Sequence, residues 1–254
     1  MRLDCRQFPG MAVPVGALVF LLATTSAGLA EGNRLVTLQG IKSATVAPSG
    51  LAFGSLGLTS RRDSLGDFFD EADGSIVLGF GLGDASKTVG VQISASITSL
   101  TDSFGDSGSL SVKAARQING LETPTFVAVS LDRLAGWGDG TLVDPSATLI
   151  VTMFPTANIG GQSYPLMLTA GYGTSVLDHH REPGAYVGAG MGITENFGAS
   201  LAWTGESVTI GTAFKFDALD NMRFSASLED AFDQVGGQRV TLSATYYFDT
   251  KFGG

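Results

Sequence analysis

A strict two-residue alternation runs through most of this chain. Its last clear instance is "RVTLSATYYF", Arg239 to Phe248. Val240, Leu242, Ala244, Tyr246 and Phe248 are apolar, Arg239, Thr241, Ser243 and Thr245 between them are polar, and Tyr247 is amphipathic. Successive side chains of a strand point to opposite faces, so the stretch makes a β-strand with one apolar and one small polar face. The rhythm recurs in "GLAFGSLGLTS", "GSIVLGFGL", "VGVQISASIT", "SLSVKAA", "TFVAVSLDRL", "SATLIVTMF", "YPLMLTAGY", "AYVGAGMGI", "FGASLAWT", "SVTIGTAFKF" and "MRFSASL". That is about twelve segments between Gly50 and Phe248, separated by turn residues. No helical period of any length interrupts them. No unbroken apolar run after residue 30 is long enough for a transmembrane helix, although mean hydropathy is positive.

The polar face decides which solvent the apolar face meets. Val89, Val91, Ile93, Ala95 and Ile97 lie on one face of their segment, with Gly90, Gln92, Ser94, Ser96 and Thr98 on the other. Val208, Ile210, Phe214 and Phe216 oppose Thr209, Gly211 and Ala213, and Met222, Phe224 and Leu228 oppose Ser225 and Ser227. The polar face of a soluble sheet carries Lys, Glu and Arg, which hold it in solution and blunt its edges. Here it is nearly all Gly, Ser, Thr and Ala, which suit the cramped interior of a closed barrel and place the apolar face against lipid. The expected fold class is therefore all-β: a closed antiparallel up-and-down transmembrane β-barrel of about twelve strands. A soluble secreted β-sandwich binding module is the alternative, with the Gly/Ser face in water.

Connection lengths alternate. "RRDSLGDFFDEAD", "LTDSFGDSG", "AGWGDGTLVDP", "GTSVLDHHREPG" and "EDAFDQVGGQ" are long; "DASK", "QINGLETP", "PTANIGGQ", "TEN" and "DALDN" are short, and "GES" breaks the pattern where a long connection is due. Long outer loops and short periplasmic turns are the habit of membrane barrels. The long set is acidic, the first alone holding Asp63, Asp67, Asp70, Glu71 and Asp73.

On these features, and on the terminal "VTLSATYYF", residues 50–248 resemble the porin-like outer-membrane β-barrel proteins of Gram-negative bacteria. The resemblance implies a bacterial outer-membrane location, with membrane lipid, lipopolysaccharide and the barrel assembly machinery as partners. It also implies that Val240, Leu242, Ala244, Tyr246 and Phe248 form the strand presented to that machinery. The chain departs from the commonest form in that "DTKFGG", with residues 249–254 as a C-terminal tail, follows Phe248.

Residues 1–30 have the layout of a cleaved signal peptide. Arg2 and Arg6 precede the apolar run Met11 to Ala27, and Gly28 and Ala30 supply small residues before the cut. The single cysteine, Cys5, falls inside it, so the mature chain would be cysteine-free, with neither a disulfide nor a Cys-based metal site. Without residues 1–30 the chain keeps 13 basic and 23 acidic side chains (Arg2, Arg6 and Asp4 removed), a balance that excludes nucleic acid as a natural partner. Residues 31–49 form an N-terminal lead-in or plug segment, since one more strand would make the number odd.

Four basic residues occupy the small polar face: Lys113, Lys215, Arg223 and Arg239. In a barrel wall they would act on lumen selectivity, favouring anionic solutes; ion pairs with Asp217, Asp220 or Glu31 are the structural alternative. Asp178 and His179 of "DHHRE" are weak candidates for a metal or a hydrolase site, because adjacent histidines on an extended chain point apart and no HExxH or Ser/His/Asp spacing accompanies them. The acidic loops could hold divalent cations, though none follows an EF-hand pattern. No cofactor is expected. The sequence thus points to a porin-like passive channel for small solutes, with a non-transporting structural or adhesive barrel as the second possibility and an outer-membrane hydrolase a minor one.

Overall fold

The computed structural model describes residues 34–60, 73–98, 100, 104–177 and 181–249. The candidates Asp178 and His179, the acidic stretch 61–72, residues 1–33 with Gly28 and Ala30, and the tail beyond Asp249 lie outside them. Thirteen strands follow in chain order: β1 (Leu51–Thr59), β2 (Asp73–Gly83), β3 (Gly90–Thr98), β4 (Gly108–Ile118), β5 (Thr125–Trp137), β6 (Ser146–Met153), β7 (Thr156–Ile159), β8 (Gln162–Leu177), β9 (Glu182–Gly192), β10 (Phe197–Trp203), β11 (Val208–Phe214), β12 (Met222–Glu229) and β13 (Arg239–Asp249).

Every ladder is antiparallel. β1 pairs with β13 from Leu51↔Asp249 to Thr59↔Thr241, and β6 pairs with β8 from Thr148↔Gly173 to Met153↔Leu168. The sheet therefore closes on itself as a twelve-stranded barrel, with β7 standing apart on β8. Closure leaves no unpaired edge, which is the condition for strands to cross a bilayer.

The faces follow the alternation. Gly90, Gln92, Ser94 and Ser96 are buried inward-facing residues, whereas Leu56, Leu78, Leu149, Leu201 and Ile210 lie exposed on the outside. An aromatic cluster forms on the outer surface near the chain ends: Phe214 stacks on Phe224, Phe216 meets both edge-on, and Tyr246 packs on Phe248. Tyr247, one residue between, turns inward. Such girdles sit at the membrane interface.

Two parts of the chain differ from the expectation. The connection "GTSVLDHHREPG" is mostly strand, because Val176 continues the inward alternation and β8 reaches Leu177 across a register shift. The short connection "PTANIGGQ" builds its own hairpin, β7 with the start of β8. Gly160 and Gly161, at φ +60° and +79°, supply the mirror-image turn that a two-residue hairpin loop requires. Elsewhere the turns are plain: in 84–88 the Ser86 hydroxyl and then Lys87 hold the Asp84 carboxyl down at about 2.

Candidate channel and the segment that fills it

Residues 34–48 lie inside the barrel. Arg34 donates to the Ile193 carbonyl and stacks over Tyr164 at the end where the chain enters, and the Leu35 amide donates to the Thr194 carbonyl. The segment then climbs along β9, β10 and β11. The Gln39 amide donates to Ser200 Oγ, and Gly40, at φ +83°, lies against Thr209. It turns near Lys42 and descends past β4, β5, β6, β3 and β2. The Ala44 amide donates to Thr152 Oγ1 and the Ala47 amide to Gln92 Oε1, at 2.8 and 2.9 Å. It is a re-entrant loop with both feet at the end of the barrel where β1 begins.

Three apolar clusters are buried among the described residues, and each joins this loop to the wall. Ala44 and Val46 pack with Ala115, Phe126, Ala128 and Ile150; Val36 and Leu38 pack with Met167; Ala47 packs with Phe53 and Val77. The protein's core is the contact between segment and wall, not between two sheets.

Glycine makes that contact possible. A Cβ on Gly190 would overlap the Thr37 carbonyl, one on Gly198 the Leu35 carbonyl and one on Gly81 the Ala47 carbonyl. The wall thus touches the backbone of the segment directly. The sequence showed small inward residues, which leave space inside the barrel. In this structure that space is occupied. A visible signal existed: Gly188, Gly190 and Gly192 recur at every second position of β9, all on one face, with the apolar "LVTLQGI" upstream.

The four basic candidates do not meet at one level. Lys113, on β4, is 3% exposed and its Nζ donates to the Ser43 carbonyl at 3.1 Å. Arg223 sits over the Tyr247 ring near the chain-end side. Lys215 lies half-buried just past β11, and its backbone amide donates to the Asn196 carbonyl. Arg239 pairs with Glu229 across β12 and β13 at 2.9 Å, and Thr241 donates to the same carboxylate. The β11–β12 ladder ends at Phe214↔Phe224, just short of Lys215 and Arg223.

Two residues of the barrel interior, Asp132 and Lys42, were not singled out from the sequence. Asp132 faces inward, 3% exposed, and its Oδ2 lies 2.5 Å from Lys42 Nζ. It is placed by a β-bulge: the β4–β5 register shifts between Leu110 and Val112, and Arg133 takes a left-handed φ of 57°. That conformation costs about 1–3 kcal/mol in a non-glycine residue. Bonds from the Arg133 guanidinium to the Asp144 carbonyl and Ser146 Oγ offset it.

No protein-family model matches the chain, and no curated protein does. Solved structures share its architecture. The KdgM porin in complex with disordered oligogalacturonate is 11% identical at a TM-score of 0.48, covering 78% of this chain and 99% of its own. The outer membrane protein Omp33 of Acinetobacter baumannii is 12% identical at 0.44, covering 78% and 97%. LpxR from Salmonella typhimurium is 9% identical at 0.38, covering 77% and 100%. At such identities the likeness is one of fold and bears on no solute and no single residue.

Proposed function

We propose that this chain is a porin-like passive channel for small solutes in the bacterial outer membrane, held shut by its own residues 34–48. One observation carries this: small inward side chains leave room in the barrel, and that room is taken by a segment held through separable, non-covalent contacts. A barrel meant to stay solid is filled by the wall's own larger side chains. Withdrawal of the segment would uncover a lumen lined by Gln92, Ser94, Thr152, Thr169 and Ser200. Lys113 would stand in the path, with Lys215 and Arg223 at the periplasmic mouth, a disposition that favours anionic solutes. The β13 strand would serve the assembly machinery through Val240, Leu242, Ala244, Tyr246 and Phe248, with lipopolysaccharide around the outer loops and divalent cations at their carboxylates.

A second possibility, a non-transporting structural barrel, is favoured by the inward hydroxyls that satisfy one another, such as Ser225 with Ser243 and Thr245 with Ser55. Planar-bilayer recording separates the two. The full chain is expected to give rare, brief openings. A variant lacking residues 34–47 is expected to raise mean conductance on the order of ten-fold or more. Silence from verifiably inserted deletion variant would reject the channel and favour the structural barrel.

A further inference from the structure

The turn of the re-entrant loop places one ammonium group on a buried carboxylate, with a second ammonium group on the neighbouring strand. Lys42 holds Asp132, and Ser130 Oγ donates to the same carboxylate, 3.1 Å from either oxygen. Lys113 stands opposite Ser130 in the β4–β5 ladder. Asp132 is the next inward residue along β5, a diagonal neighbour within reach of a long side chain. Lys113 nevertheless makes its one hydrogen bond, among the described residues, to the neutral Ser43 carbonyl of the loop. Of the other polar groups nearby, Arg133 is turned to Asp144 and Ser146, and the buried Tyr186 hydroxyl has no hydrogen-bond partner among the described residues. A buried lysine on a carbonyl, beside a carboxylate claimed by a second lysine, has an alternate partner within the same site.

We propose that Lys42, Asp132 and Lys113 form an exchange latch that regulates the closed channel; the proposal rests on the channel assignment above. In the closed state Lys42 pairs with Asp132 and Lys113 holds Ser43. Withdrawal of the loop breaks both contacts at once, and the Lys113 ammonium turns onto Asp132. The buried carboxylate is never left unpaired, and stranding it would otherwise oppose opening. Lys113 gains more from a carboxylate than from a neutral carbonyl, and in the closed state it also faces the like charge of Lys42. Its net effect is therefore to favour opening.

This has a sign that simple anchoring does not share. If Lys113 only tethers Ser43, removing it frees the loop. If it is the alternate partner of Asp132, removing it locks the loop in. The readout is reaction of Ser43→Cys, in a Cys5→Ser background, with a membrane-impermeant maleimide on reconstituted full-length protein, because Ser43 is 1% exposed in the closed state. Asp132→Asn and Lys42→Met are expected to speed labelling about ten-fold, and Lys113→Met to slow it about ten-fold. In the Asp132→Asn background Lys113→Met should no longer slow it. Unchanged or faster labelling in Lys113→Met would overturn the exchange, and Lys113→Gln gives the same decision should the methionine variant fail to assemble. Labelling reports loop movement whether or not the barrel conducts. A non-conducting deletion variant thus counts against the channel alone, and a wrong sign at Lys113 against the latch alone.

Discussion

Arginine in place of Ile210 is expected to lower the stability of the barrel in a bilayer by about 2–4 kcal/mol, the cost of Arg on the lipid face near the midplane. Ile210 points outward from the middle of its strand, 43% exposed, with Leu201 and Leu228 as its cross-strand partners. A guanidinium there has no polar neighbour in register and must thin the bilayer or reach for the interface. Such a loss is a large share of the roughly 5–15 kcal/mol that keeps a protein folded. Urea titration of protein refolded into lipid vesicles measures it. Ser94→Arg is the control: Ser94 faces inward and is 5% exposed. Its guanidinium would press on the interior, so it should disturb the loop while leaving membrane insertion largely intact. Equal losses from the two variants would reject the assignment of faces.

That assignment was legible because a strand's faces are a local matter. Each inward residue of β3, β11 and β13 follows from a count of two along a few residues, and the closed barrel then fixes what lies on each side. The filling of the barrel is not local. Gln39 meets Ser200 and Leu35 meets Thr194, contacts about 160 positions apart in the chain, and no period in residues 34–48 announces which wall they touch. Tyr247 and Asp132 show the same limit. The first lies between two outward aromatic residues, and only its inward alternation separates it from Tyr246 and Phe248. The second is aimed by a bulge at Arg133, a backbone irregularity that alternation alone does not reveal. Lys113 was found as an inward cation, but its partner belongs to a segment for which the sequence left lead-in and plug both open. The β7 hairpin was within reach, since Gly160–Gly161 between Ile159 and Gln162 is a turn signal.

The wall glycines allow the sharpest test of the loop's seat. Gly190→Ala adds one methyl group where the Thr37 carbonyl now lies. The obstacle is main chain, so no rotamer change relieves it, and either the loop or β9 must move. β9 is held by ladders to β8 and β10 along its length, from Leu166↔Met191 to Leu177↔Glu182 and from Gly198↔Gly192 to Trp203↔Val187. The loop at that level is held by Val36 and Leu38 against Met167 and by a few hydrogen bonds, each bond contributing about 0.5–1.5 kcal/mol. Overpacking of this kind costs about 1–3 kcal/mol, comparable to what two of those bonds supply, so the loop should yield first. The expected result is an assembled barrel in which the Ser43→Cys probe reacts roughly ten-fold faster or more. Gly54→Ala serves as the comparison, because the added carbon would meet only Leu78 and Phe248 side chains on the outside, at 3.3 and 3.8 Å. It should leave labelling unchanged. A Gly190→Ala barrel that protects Ser43 as well as the parent would mean that the loop is seated by its apolar clusters and the Lys42 turn instead, and that the glycine face of β9 is not what admits it.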